Sequence, residues 1–182
     1  ALLLQIGPAT GPSPLLGAAI PLGLTPDLLL AAVDSGSTGM VGIVPPDGAP
    51  RVLCFHKLSR RFLFEGTWTT PACFAAYVDR LRDRGYTFID ESRYLAMLDA
   101  PSPDAAKHVF LTFDDGYAET IDLAHGILAA RGIPFHVFFV SDYAGRENSW
   151  DLSLGRPPFR HLSWERVREL AASGVSFGSH TA

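Results

Sequence analysis

The chain has 182 residues, of which 47% are hydrophobic and 19% charged. That length and balance suit one folded domain with a sizeable core and exclude fibrous, collagenous and wholly disordered classes. Fifteen Lys and Arg against 19 Asp and Glu leave a net charge of -4, so nothing here neutralises a phosphate backbone and nucleic acid is excluded as a partner.

Every basic residue lies at or after Arg51, whereas residues 1–50 carry only Asp27, Asp34 and Asp47 as charges and hold most of the prolines. The asymmetry divides the chain into an unassigned Pro/Gly-rich segment, 1–50, and a folded domain, 51–182. Within the first segment the most apolar stretch, 14–33, is interrupted by Pro21, Pro26 and Asp27, which makes it a poor membrane span. No basic leader region precedes Ala1-Leu2-Leu3-Leu4, and the start reads as cut or processed. A short helix is predicted over 25–33, capped by Thr25 with Pro26 in its first turn.

From residue 51 the elements follow one another closely. Arg51 to Phe55 is a short apolar run that suits a buried strand. Thr70 caps a helix in which Phe74, Tyr77, Val78 and Leu81 recur at helical spacing until Gly85 ends it. A short strand over 86–89, a short helix over 92–98 and a loop at 101–104 come next. A strand over 108–113 (H-V-F-L-T-F), a helix from about Tyr117 to Arg131 and a strand over 133–140 (I-P-F-H-V-F-F-V) form the strongest unit. After a loop over 141–161, Ser163 caps another helix, Gly174 ends it, and Val175 opens a last strand. Strands apolar on both faces and separated by helices imply parallel pairing with right-handed crossovers. The predicted class is therefore α/β, either an open sheet or part of a barrel.

Ligands in such folds bind at the carboxyl ends of the strands. Thr112-Phe113-Asp114-Asp115-Gly116 closes one strand and Ser179-His180-Thr181 another. Two ionised carboxylates at an apolar strand's mouth need a cation or strong donors nearby. Neighbours on a strand point to opposite sides, so one Asp is placed to hold a metal while the other is aimed at a bound water. The plainer reading is that either Asp caps the following helix. His180, near the end of a later strand, sides with the metal, since mixed N and O donors suit zinc. His56 follows the first strand and is a further candidate for the pocket wall. His136 reads as a packed core residue, and His108, His125 and His161 as surface or capping groups. The two cysteines, Cys54 and Cys73, read as small buried apolar residues because they lack metal or disulfide spacing.

V-F-L-T-F-D-D-G-Y at 109–117, G-I-P-F-H-V-F-F-V at 132–140, the 162–181 segment ending G-S-H-T, and V-L-C-F-H-K-L at 52–58 together resemble the polysaccharide deacetylases, the carbohydrate esterase group with the NodB homology domain. The resemblance covers 51–182 and implies the N-terminal part of a distorted (β/α) barrel, truncated at its C-terminus. It further implies metal-assisted removal of N-acetyl groups from an amino-sugar polysaccharide of the chitin, peptidoglycan or poly-N-acetylglucosamine type. By the resemblance Asp114 is the general base, Asp115 and His180 bind a divalent metal, zinc by preference, and the cell envelope or exterior is the location. The family's second histidine ligand falls four positions after His180, past Ala182, so the chain is expected to be a fragment of a longer protein with little activity alone. Two alternatives remain open at this point: a small-molecule amidase or deformylase, and a non-catalytic carbohydrate-binding protein on the same fold.

Overall fold

The computed structural model describes residues 42–43, 48–60, 68–149 and 158–180; the helix expected over 25–33 lies outside them. The strands are β1 (Gly42–Ile43), β2 (Arg51–Phe55), β3 (Lys57–Leu58), β4 (Trp68–Thr69), β5 (Thr87–Ile89), β6 (His108–Phe113), β7 (His136–Phe139) and β8 (Ser176–Ser179). Between them run helices α1 (Pro71–Asp83), α2 (Glu91–Asp99), α3 (Ala118–Ala129) and α4 (Trp164–Ala172), with 3-10 turns at Pro103–Lys107 and Ser141–Tyr143. None of the described helices is long and apolar enough to cross a membrane.

The main sheet runs β1-β2-β6-β7-β8, all parallel except β1, and β5 also pairs with β6 in parallel. A strand has two edges. β2 takes one edge of β6 over Val109 to Phe113, so β5 and β7 divide the other, β5 against His108 to Phe110 and β7 against Thr112 and Phe113. Parallel strands with intervening helices are the α/β architecture of a partial (β/α) barrel. β1 lies before Arg51 and hydrogen-bonds antiparallel to β2, so part of the first fifty residues adds to the sheet.

Local chemistry explains most boundaries. Thr70, Asp90 and Ser163 cap α1, α2 and α4 by accepting from the backbone N–H three residues on. Gly85 and Gly174 take positive φ just beyond α1 and α4, where glycine is least strained. β7 starts at His136 instead of Ile133 because Pro134 has no N–H to give a ladder. The expected loop at 101–104 runs into the 3-10 turn, where Pro103 occupies the first position.

The main core lies on one face of the sheet. Phe74, Tyr77, Val78 and Leu81 of α1 and Ile121, Ala124 and Leu128 of α3 pack against Leu53, Phe55, Val109, Leu111 and Phe113. On the opposite face Phe110 joins Ile89 and Met97, with Val52 and Tyr94 against them. β6 therefore buries side chains on both sides, which is why H-V-F-L-T-F has no polar alternation. Because β2, β6, β7 and β8 run the same way, the residues after Phe55, Phe113 and Ser179 meet at one end of the sheet.

Candidate functional site

Register builds the site. β2 and β6 align Cys54 with Thr112 and Phe55 with Phe113, so one step further His56 stands beside Asp114. The backbone confirms that step, since the Asp114 N–H donates to the Phe55 carbonyl at 2.8 Å. The next pair, β7 and β8, aligns Phe139 with Ser179, and the His180 N–H donates to the Phe139 carbonyl at 3.0 Å. His180 is thereby held at the same sheet end as Asp114.

The side chains converge. Asp114 Oδ2 is 3.6 Å from His56 Nε2 and 3.6 Å from His180 Nε2, while the other nitrogen of His180, Nδ1, is 3.9 Å from Asp115 Oδ1. The carboxylates are mostly shielded, with side chains 18% and 15% exposed, and the imidazoles less so at 30% and 32%. Among the described residues the ion-pair partners of both aspartates are imidazoles. A cation between them offsets the mutual repulsion of two carboxylates brought together this way.

Strand alternation predicts Asp114 and Asp115 on opposite sides, yet both face His180. The reason is that β6 ends at Phe113 and Asp115 takes a left-handed conformation, φ 66°. Aspartate tolerates this region better than most residues. Gly116 follows at φ 69°, and a Cβ there would sit 2.7 Å from Phe139 Cδ2, so the turn needs glycine for both conformation and space. The 158–162 segment clamps it, with Leu162 N–H donating to the Gly116 carbonyl at 2.9 Å and Ala118 N–H to the Arg160 carbonyl at 2.8 Å. Neither aspartate caps α3. Its N-cap is Tyr117, with no side-chain cap bond.

Three other histidine and cysteine readings change or sharpen. His56 does line the site. Cys54, read from the sequence as a buried apolar residue, is instead half-buried, and its sulfur belongs to a cluster with donor atoms of His56 and Asp114 that all lie within 4.8 Å of one another. Burial first, and the Asp114 charge second, push the Cys54 thiol pKa well up. The signal for this pairing was present in the sequence: C-F-H and T-F-D, placed side by side as parallel strands, put both pairs on one face. His161 is buried instead of exposed, its Nδ1 3.3 Å from the Arg146 carbonyl and its ring 4.8 Å from that of Tyr117.

His136 is buried as expected, but deeper on the same face as the site. Its Nδ1 lies 2.9 Å from Ser176 Oγ and 3.7 Å from Glu91 Oε2. Gly178 leaves the space the ring needs, since a Cβ there would fall 2.7 Å from His136 Nε2. Desolvation lowers the His136 pKa, while the charges of Glu91 and Asp114 pull it back up.

Known proteins share this stretch of chain and its fold. Residues 102–182 match the family model for polysaccharide deacetylase. Over those residues the chain is similar to the polysaccharide deacetylases. The chain is similar to IcaB from Ammonifex degensii, with a TM-score of 0.59 and 32% identity over 74% of this chain and 53% of that one. It is similar too to the de-N-acetylase from Aggregatibacter actinomycetemcomitans, with a TM-score of 0.57 and 25% identity over 71% of this chain and 53% of that one. In sequence it is 29% identical over 108 residues to YxkH of Bacillus subtilis, assigned to the polysaccharide deacetylases, covering 59% of this chain and 34% of YxkH. The chain thus spans about half the length of these solved relatives and a third of the curated one.

Proposed function

We propose that the chain supplies the base and metal-holding residues of a hydrolase that removes N-acetyl groups from an amino-sugar polysaccharide. Water adds to the acetamide carbonyl, the linear C–N bond breaks, and acetate and a free amine leave. The substrate class is chitin, peptidoglycan glycan or poly-N-acetylglucosamine, and the working location is the cell envelope or outside it.

Asp115 and His180 hold the metal in this reading. Their facing atoms are 3.9 Å apart, a little wider than the roughly 3.3–3.6 Å between two donors on a tetrahedral ion with bonds of about 2.0–2.2 Å, so a small side-chain shift would let the pair hold one ion of the zinc class. When bound, such an ion supplies Lewis-acid polarisation of the carbonyl and lowers the pKa of water. Asp114 takes the proton of the attacking water on Oδ2, the atom that His56 and His180 approach from two sides. The half-shielded site limits competing bulk water around that transfer. The observation that carries the proposal is one imidazole, His180, facing both carboxylates through its two nitrogens.

The test is acetate release from chito-oligosaccharides by the protein and its Asp114→Asn variant, with bound metal measured in parallel. Loss of a positioned base lowers the rate by about 10²–10⁴-fold, and metal content stays the same. Unchanged acetate release, or metal lost together with the carboxylate, contradicts these roles. Formate or ammonia release from small amides in place of acetate points to the amidase reading.

A further inference from the structure

Cys54 and His56 stand two residues apart on β2, on the face that meets Thr112 and Asp114 across the register of β6. One sulfur, one nitrogen and one carboxylate oxygen from Cys54, His56 and Asp114 lie within 4.8 Å of one another. None of these donors belongs to the Asp115 and His180 pair. Within the set His56 Nε2 lies 3.6 Å from Asp114 Oδ2, close to the spacing of two donors on a tetrahedral ion with bonds of about 2.0–2.2 Å. The longer sulfur bond of about 2.3 Å lets Cys54 close the set with a small side-chain shift. All three groups are half-buried, so an ion can reach them from the sheet end.

We propose that Cys54, His56 and Asp114 form a second cation site, selective for thiophilic divalent ions of the zinc and cadmium class, that disables Asp114 when filled. The thiolate sets the preference. Imidazole and carboxylate alone accept many divalent ions, whereas sulfur favours the softer ones and disfavours magnesium and calcium. Three protein donors leave a fourth tetrahedral position for water. An Asp114 oxygen engaged by an ion no longer accepts the proton of an attacking water, so filling this site inhibits turnover. The inhibitory consequence rests on the function proposed above; the binding itself does not.

Cadmium chloride titrations, followed by thiolate-to-cadmium charge-transfer absorbance, test the site directly. The protein and its Cys73→Ser and Asp115→Asn variants develop the band, Cys54→Ser does not, and His56→Ala weakens cadmium binding by at least about tenfold, the loss common even for outer-shell partners. No band in the protein, or a band that persists in Cys54→Ser, overturns the site. This readout needs no turnover, so it decides the site even where acetate release is not found. Where acetate is released, zinc beyond the first equivalent inhibits the protein at concentrations at least about tenfold lower than it inhibits Cys54→Ser; equal sensitivity overturns the inhibitory role.

Discussion

At the scale of single residues, His136 is the group whose chemistry most exceeds its apparent part as packing. It opens β7, with Ser176 of β8 on one nitrogen, Glu91 nearby and the ring of Phe138 at 4.5 Å. Burial holds its pKa below the ordinary value of 6.5 in the folded state, and Glu91 and Asp114 offset part of that shift without reversing it. The folded chain therefore binds fewer protons here than the unfolded one between the lowered pKa and 6.5. Stability contributed by His136 is complete above that window and declines as pH falls through it. Melting temperature measured against pH should drop on acidification below about 6.5, and His136→Gln, which does not titrate, should flatten that part of the curve. Identical curves for the two proteins would show that protonation of His136 is not coupled to folding. The apolar run I-P-F-H-V-F-F already implies the burial that causes this coupling; what it does not give away is the partial offset by Glu91, 45 residues earlier on α2.

Among the elements, β6 contributes buried side chains to both apolar clusters. Its Phe113 is fully buried between Phe55 at 5.8 Å, Phe74 at 5.7 Å and Phe135 at 5.6 Å, measured between ring centroids. Phe113→Ala is expected to cost about 3–5 kcal/mol in denaturant unfolding, and to loosen the adjoining Asp114-Asp115 turn as it does so. A cost below about 1 kcal/mol, the level of a surface change, would mean that the aromatic cluster does not anchor the strand. Elements of this kind were legible from residue order, since Phe74, Tyr77, Val78 and Leu81 already trace the buried stripe of α1 and the apolar run of β6 already implies cover on both faces. Aim past a strand end was not. Alternation sets Asp114 and Asp115 apart only while the chain stays extended, and the left-handed turn at Asp115 cancels it. Cys54 was misplaced for a related reason: its surroundings depend on the β2 to β6 register, which no local pattern states.

Across the described residues, the parallel strands β2, β6, β7 and β8 bring their carboxyl ends to one end of the sheet, and that convergence turns scattered residues into a site. Asp114, Asp115 and His180 were recognisable as motif residues, and a parallel sheet made their meeting a reasonable expectation. The division of one β6 edge between β5 and β7 was not foreseeable, because it depends on where two separate strands begin and end. The central claim is that His180 joins Asp115 around one divalent ion while leaving Asp114 free to act. An anomalous-difference map from crystals of the protein grown with one equivalent of zinc tests this most directly. The account predicts a single peak about 2.0–2.2 Å from both His180 Nδ1 and Asp115 Oδ1, and a peak bonded to Asp114 in place of Asp115, or none near His180, would contradict it.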